Sequence, residues 1–399
     1  MKIDIIGNGF FKLNNTTSNS KVSALIKCLQ SERNVELYKT WIAKEYNTNM
    51  EDEKVQTRLN LILQMKDKID EISSDEDRTQ ILNYLSRLLS AKFSGSKQSD
   101  SMILLTLDKL VYSFQNKKPI IFIFGFGGYK NYNSPSFPEV DYSELFHMKY
   151  MTEFLLPIIT TYKYGVTLEY ESEEISIQFN NVPQETTDKY TISFQKLLKY
   201  FTTKFEEQNG IKLDYKLVIA RDMYNPQDLY QKMREYYPSM LEEFNQLTKE
   251  EKEIWLKRAR TNFLINGTED FSDLSELEFN HKLIEVRVNN ECFLAADYDL
   301  RADFWERPNA ISLFGTWGKT PCASPIDSGL HLKSTRASNT DFWIGTGIFQ
   351  LDEGNNIIQE FILSHTQYND MKKEIRYLES SNEELKRISS NFNLFPYVK

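Results

Sequence analysis

The sequence predicts an α/β protein, in which a mainly parallel sheet follows an N-terminal helical layer and precedes a β-rich C-terminal extension. Apolar residues recur at helical spacing from about residue 20 to residue 114. Short apolar runs then alternate with amphipathic segments up to residue 263, which is the order of a parallel sheet. Turn-rich alternating segments take over in the last third. The expected regions are a helical region at residues 1–115, a sheet domain at 116–365 and a helical tail at 366–399.

The composition indicates a soluble protein with a substantial core. The chain has 399 residues, of which 40% are hydrophobic, and a net charge of -9. That charge argues against a protein that coats nucleic acid. Cys28, Cys292 and Cys322 are odd in number and widely spaced, which favours reduced thiols over disulfides or a zinc site. Neither a signal peptide nor a membrane-spanning stretch is visible, so we expect a cytoplasmic protein with no membrane partner.

The N-terminal region reads as successive helices with no evident chemistry. Polar or Gly/Ser-containing breaks separate them at residues 47–53, 73–77 and 94–101. The last helix, Met102–Phe114, leads into the first sheet strand. The pattern predicts a helical layer or cap over the sheet.

A strand, a glycine-rich turn and a helix follow directly. Ile120–Phe124 is an uninterrupted run of β-branched and aromatic residues, typical of a strand buried on both faces. Gly125, Gly127 and Gly128 let the backbone turn sharply and leave room for a ligand. The predicted helix Asp141–Pro157 has acidic residues in its first turn, as the helix dipole favours.

In open α/β sheets ligands bind outside the carboxyl ends of the strands, so this turn is a candidate binding site. Lys130, Asn131 and Ser134 add polar groups to it, and Lys130 with the free loop amides suits a carboxylate or phosphate. The alternative is a plain tight turn between two buried elements.

The middle of the chain continues the alternation of strands and helices. Expected strands are Val166–Tyr170 and Leu213–Ala220, and expected helices are residues 190–207 and 226–263, the latter interrupted at Tyr236–Pro238.

The last third predicts further strands and a charged helix. The predicted strands are Ile284–Val288, Ala310–Phe314, Leu330–Ser334, Phe342–Leu351 and Ile357–Leu363, with a hairpin turn at Asp352–Asn356 and a helix at Tyr368–Ile388.

A Gly/Pro/Ser-rich loop at residues 315–329 is long enough to favour a function. Asp327, His331 and Arg336 cluster around it with Trp317 and Trp343, which suits a small-ligand pocket. The alternative is a β-meander with ordinary surface charges.

Two carboxylates on the second strand are candidate catalytic residues. Glu169 and Glu171 share one face of that strand. If the strand neighbours the first one, its end lies beside the glycine turn. A carboxylate there could bind a substrate's amino group or act as a general base. The alternative is a solvated strand face.

No cofactor or metal is predicted from the motifs. The glycine turn lacks the G-x-G-x-x-G spacing, and Gly318-Lys-Thr320 has Leu313 where a P-loop needs its first glycine. Glu144 and His147 have the spacing of di-iron bundles, but in a single copy. The four histidines are too scattered to predict a metal site.

One predicted helix carries a modest basic face, made of Lys189, Lys196, Lys199 and Lys204. Such faces are mostly solvated, and the functional alternative is contact with a phosphate backbone.

The layout of residues 117–350 resembles that of the isonitrile synthases, which act on a free amino acid. The matching features are a small-residue loop at residues 125–135, a helix at Tyr142–Pro157, Tyr162-Lys-Tyr-Gly-Val166 leading into a strand, and a late strand at Ala310–Phe314. The tRNA-dependent cyclodipeptide synthases look similar in outline. Both resemblances imply a Rossmann-like sheet and a biosynthetic enzyme.

The leading hypothesis is therefore a transferase or synthase that acts on an amino acid or aminoacyl group. Lys130 and the loop amides would hold an anion, Glu169 or Glu171 would take the amino group or serve as base, and the late loop would close the pocket. One alternative is an aminoacyl-tRNA-dependent cyclodipeptide synthase, with tRNA as partner. The other is a non-enzymatic binding or scaffold protein.

Overall fold

A computed structural model describes most of the chain. The described residues are 5–6, 10–11, 20–90, 99–128, 130, 134–172, 182–266, 273–314, 330–331, 340–379 and 385. In the described part, no helix is both long and apolar enough to cross a membrane.

Helices form the N-terminal layer, as predicted. A short antiparallel pair of two-residue strands, β1 (Ile5–Ile6) and β2 (Phe10–Phe11), comes first. The helices that follow are α1 (Ser20–Gln30), α2 (Val35–Tyr46), α3 (Glu53–Asp70), α4 (Asp75–Leu88) and α5 (Asp100–Gln115). Side chains of Asn34, Asp52, Ser74 and Ser99 accept hydrogen bonds from the first-turn amides of α2 to α5. Their apolar faces join the same buried cluster as the main sheet.

The main sheet is parallel throughout its described length, which confirms the predicted α/β fold class. Its strands are β3 (Ile120–Phe126), β4 (Val166–Ser172), β5 (Asp214–Ile219), β6 (Ala310–Phe314) and the two-residue β7 (Leu330–His331). Their order across the sheet is β5-β4-β3-β6-β7.

This order places a topological switch point between β3 and β6. From β3 the chain proceeds through α6 (Tyr142–Thr161) to β4 and through α7 (Gln184–Asn209) to β5, moving outward on one side. It then returns to the other side of β3 through α8 (Pro226–Gln246), α9 (Lys249–Asn266), α10 (Glu276–Leu300) and α11 (Ala302–Trp305). In such sheets the carboxyl ends of the strands at the switch point border the binding crevice. The glycines after β3 lie at that point.

The two faces of the sheet have different surroundings. Phe124 and Phe126 on β3 point to the α6–α7 side, where Phe126 stacks on Phe194 at a ring distance of 4.8 Å. Ile123 points the other way and packs with Trp305 near the end of α10. Because successive strand residues alternate, the residues in register with Ile123 and Gly125 also face α10.

The helices α8, α9 and α10 enclose a second core of their own, with Leu229, Phe244, Trp255 and Phe293 among its members. The predicted strand at Ile284–Val288 is wrong, since these residues lie inside α10. A capping box at Ser275 starts the helix, and the stripe of Leu283, Val288 and Cys292 is buried along it. A short apolar run does not distinguish a buried strand from a buried helix.

The predicted interruption at Tyr236–Pro238 is also wrong. Pro238 lies inside α8, which continues to Gln246, and the break falls at Leu247 instead. Burial of Met233 before the proline and Phe244 after it stabilises one continuous helix.

An antiparallel sheet forms the C-terminal extension, in the order β10-β8-β9. Its elements are β8 (Thr346–Leu351), β9 (Ile357–Leu363), the short helix α12 (His365–Met371) and β10 (Tyr377–Glu379). The hairpin turn Asp352–Asn356 is confirmed, because the Asp352 carboxylate accepts the amides of Gly354 and Asn356.

Two boundaries in this extension differ from the predictions. Strand β8 begins at Thr346 rather than Phe342, after a turn. The predicted helix Tyr368–Ile388 is confirmed over Tyr368–Met371 but wrong over residues 372–379, since α12 ends at Met371 and Tyr377–Glu379 pairs with β8. The open edge of β8 supplies backbone partners that the local helical pattern does not reveal.

Candidate functional site

The carboxyl ends of β3 and β4 lie side by side. Gly125 is in register with Glu171, and Phe126 with Ser172. Gly125 and Glu171 therefore face α10 together, and Gly125 places no side chain beside the Glu171 carboxylate. Gly128 has a φ of 57°, in the left-handed region that favours glycine.

A buried charged cluster occupies the face next to Gly125. Arg301, which caps the end of α10, donates from Nη1 to Glu171 Oε1 at 2.6 Å and from Nη2 to the Asp297 carboxylate. Arg301, Glu171 and Asp297 are 2%, 0% and 4% exposed, so all three are almost fully shielded from water. The guanidinium also lies over the ring of Trp305 at 5.1 Å.

The cluster holds more negative than positive charge. Two carboxylates surround one guanidinium, and Asp297 lies in the last turn of α10, where the helix dipole is also negative. Burial alone would lower the pKa of Arg301, but Glu171 and Asp297 raise it above its ordinary value. Burial raises the pKa of Asp297, against the opposing influence of Arg301.

The segment after β5 covers this cluster. A 3₁₀ turn at Ala220–Asp222 leads to Met223 and Tyr224. The Met223 sulfur lies 4.0 Å from Arg301 Nη1, and Met223 is 40% exposed, so the charged cluster is one side chain below the surface. The Tyr224 hydroxyl lies close to the Asp297 carboxylate, and burial, reinforced by that carboxylate, raises the pKa of Tyr224.

Glu169 has a different environment from Glu171. Two residues earlier on β4, it accepts two hydrogen bonds from Arg307, at 3.2 and 2.5 Å. Arg307 in turn lies over the Phe304 ring at 4.4 Å. Both glutamates are buried, so the solvated-face alternative is wrong. The two hydrogen bonds from Arg307 bind Glu169 to the segment before β6, while Glu171 lies at the carboxyl end of the sheet.

Lys130 lies in a second buried cluster, at the amino end of α6. Its Nζ donates to Glu144 Oε1 at 2.7 Å, to Asp141 Oδ1 at 3.2 Å, to Ser143 Oγ at 2.5 Å and to the Phe342 carbonyl at 2.9 Å. The side chain is fully buried. These contacts join the glycine loop, the start of α6 and the segment before β8.

The carboxylates around Lys130 are organised by the cap of α6. Asp141 and Glu144 form a capping box, and Ser134 contacts Asp141 Oδ2 at 3.4 Å. The Tyr190 hydroxyl donates to Glu144 Oε1 at 2.9 Å. Burial, with the neighbouring Asp141, raises the pKa of Glu144 to about 7 even though Lys130 opposes the shift.

Four of the described residues predicted for the site lie in two clusters near the glycines at the end of β3. Glu169 and Glu171 lie on the α10 face, and Lys130 and Ser134 lie at the start of α6. His331 is placed by its backbone in β7 beside β6. Asn131, Asp327, Arg336 and Trp317 lie outside the described residues. Within the described ranges, no group of three or more His, Cys, Asp and Glu side chains is arranged to hold a metal ion.

Sequence reasoning missed Arg301, Asp297 and Arg307. The spacing of Asp297 and Arg301, four residues apart, is that of an ion pair along one helix face. Reading residues 276–300 as a helix would have revealed that pair, but not its contact with Glu171, 130 residues away in the chain.

Comparison with known proteins gives a fold relationship. No protein-family model and no curated protein matches the chain. Among solved structures, the chain is similar to the PvcA protein from Pseudomonas aeruginosa, at a TM-score of 0.53 and 12% sequence identity. The match covers 73% of this chain and 94% of that protein. At this identity the likeness shows a shared fold.

Proposed function

We propose that this chain is a biosynthetic enzyme that acts on an amino acid or an aminoacyl group at the carboxyl ends of β3 and β4. One observation carries the proposal: Glu171, buried and held by Arg301, lies beside the glycine turn at the switch point of a parallel sheet. The resemblance to isonitrile synthases supports this class of reaction, and the fold shared with PvcA supports the sheet architecture on which the site is built.

The glycine turn and Glu171 have complementary roles in this proposal. The backbone amides of Gly127 and Gly128 receive the substrate's carboxylate or acyl oxygen. Glu171 binds the amino group and accepts its proton, because an amine attacks or condenses only after the ammonium is deprotonated. Glu171 is preferred to Glu169 because it is in register with Gly125 at the carboxyl end of β4, whereas Glu169 lies two residues earlier and is bound by Arg307. Asp327, His331 and Arg336 stay candidates for the wall of the site.

Lys130 acts as a positioning residue in this scheme. Its ammonium contacts two carboxylates, a hydroxyl and a carbonyl inside the protein. It therefore fixes the loop that follows β3 and leaves anion binding to the loop amides.

Metabolite profiling of cells that express the chain tests the proposal. Wild type should yield a nitrogen-containing product derived from an amino acid, and Glu171→Gln should lose it although the variant still expresses as a folded protein. Glu360→Gln is the matched control, since Glu360 lies on the separate C-terminal sheet, where it pairs with Lys149 of α6. Equal product in Glu171→Gln and wild type would exclude Glu171 from the chemistry.

The use of a free amino acid is preferred to aminoacyl-tRNA. Lys196 and Lys199 are exposed on α7, but two neighbouring lysines are paired with Glu185 and Glu207. That leaves little free positive charge for an RNA backbone. RNA that copurifies with wild type and is lost in Lys196→Ala/Lys199→Ala would reverse this preference. A scaffold protein needs no buried charged cluster at a switch point, which argues against the non-enzymatic alternative.

A further inference from the structure

The cluster around Arg301 contains polar atoms that its own residues leave unsatisfied. Among the described residues, the acceptor Asp297 Oδ1 and the donor Arg301 Nε are buried and have no hydrogen-bond partner of ordinary geometry. The Tyr224 hydroxyl next to Asp297 likewise makes no well-formed hydrogen bond there. Buried polar groups are rarely left in this state unless a ligand, an ion or a water completes them.

The charge of the cluster identifies the chemistry of the missing group. When both are ionised, Glu171 and Asp297 place two negative charges against one positive charge on Arg301, and the carboxyl end of α10 adds further negative potential. A buried excess of negative charge is costly, and a cation that also donates hydrogen bonds removes that cost and satisfies the Asp297 Oδ1 acceptor, while the Arg301 Nε donor is not completed by it.

We propose that Asp297, with Glu171 and the Tyr224 hydroxyl, forms a subsite for the primary ammonium group of a small ligand. This deepens the proposed function, because it rests on the same face of the sheet and names the group that recognises the amino end of the substrate. Asp297 Oδ1 and the Tyr224 oxygen accept N–H hydrogen bonds from the ligand. Arg301 holds the two carboxylates in place by donating to Glu171 Oε1 and Asp297 Oδ2.

The charge balance also predicts the effect of pH on this subsite. The titratable and charged groups that face Asp297 are Glu171 from β4, Arg301 from its own helix and Tyr224 from the segment after β5. Burial raises the pKa of Asp297, which therefore holds a proton in the empty site up to a higher pH than an exposed aspartate. An ammonium ligand displaces that proton, so its affinity should fall about tenfold per pH unit below the Asp297 pKa.

Methylammonium chloride tests the subsite without any knowledge of the substrate. It should raise the melting temperature of the full chain, whereas tetramethylammonium chloride at the same concentration should not, because it has no N–H donor. Asp297→Asn should abolish the methylammonium shift, and Tyr224→Phe should reduce it. The shift should also shrink as the pH is lowered.

Asp299→Asn is the matched control, because Asp299 lies two residues further along α10 but is bound to Lys232 and Tyr236 at the surface. It should respond to methylammonium like wild type. If Asp297→Asn does not fold, the methylammonium shift of Tyr224→Phe and the comparison of the two cations on wild type still test the subsite. Equal shifts from both cations, or a full methylammonium response in folded Asp297→Asn, would overturn the subsite.

The outcome is separable from that of the proposed function. Product formation without a methylammonium response would remove only the subsite. A response without any product from wild type would remove only the proposed reaction.

Discussion

Lys130 shows how a single buried charge determines local stability. Its ammonium is fully buried between Asp141 and Glu144, and it opposes the effect of burial on the Glu144 pKa. Lys130→Met removes the cation and leaves two buried carboxylates facing one another. Breaking a buried pair in this way typically costs about 3–5 kcal/mol in the free energy of unfolding.

The sign of the pH dependence follows from the Glu144 pKa. The pKa of Glu144 is raised from 4.5 to about 7 in the folded protein and should rise further in Lys130→Met. A group that binds its proton more tightly when folded stabilises the protein at low pH, and this contribution is lost as the pH rises through the folded pKa. Denaturant unfolding between pH 5 and pH 8 should therefore show a steeper fall in stability for Lys130→Met than for wild type.

Lys149→Met provides the control at the same scale. Lys149 also lies on α6 and pairs with a glutamate, Glu360, but both side chains are partly exposed. Its loss should cost less than about 1 kcal/mol, with no added pH dependence. Equal decreases in the free energy of unfolding in Lys130→Met and Lys149→Met would show that burial of the Lys130 cluster does not increase its contribution to stability.

At the scale of elements, the contact between α6 and β8 depends on one glycine. A Cβ on Gly347 would lie 2.0 Å from the Ser143 amide nitrogen and 2.4 Å from the Tyr142 carbonyl carbon. Both obstacles are backbone, so no side chain can move aside. Gly347→Ala must push β8 away from α6 and break the hydrogen bond from the Gly347 amide to Asp141.

We expect Gly347→Ala to lower the melting temperature by several degrees, in line with about 1–3 kcal/mol for overpacking a buried contact. Gly354→Ala is the control, because its nearest obstacle is the flexible Asn356 side chain in an exposed turn. A melting temperature unchanged in Gly347→Ala would contradict the close packing of these elements.

The same scale shows how far sequence patterns predict this molecule. Strand β3, helix α6 and the Asp352–Asn356 hairpin turn follow from local signals such as apolar runs, caps and turn residues, and the structure has them. Helix α10 and strand β10 do not, because their state depends on distant partners: the second core and the edge of β8. The candidate site shares this limit. Glu171 is predictable from its strand, but Arg301 lies at the end of α10, part of which the sequence pattern predicts as a strand.

At the scale of the whole molecule, Arg301 connects two cores. One core spans the N-terminal helices and the main sheet, and the other lies between α8, α9 and α10. Arg301 belongs to α10, and its bond to Glu171 reaches the second strand of the sheet. Arg301→Met would leave Glu171 and Asp297 buried without their shared cation, a change that typically costs about 3–5 kcal/mol.

Because Arg301 lies at the contact between the two cores, the loss of stability in Arg301→Met should differ between parts of the chain. Amide hydrogen exchange in Arg301→Met should accelerate most in α8–α10 and least in α1–α5, which pack into the other core. Arg307→Met is the comparison, since Arg307 pairs with Glu169 from a partly exposed position and should produce a smaller, more local change. If exchange in Arg301→Met accelerates equally throughout the chain, the two cores unfold as one unit and Arg301 is not a local connection between them.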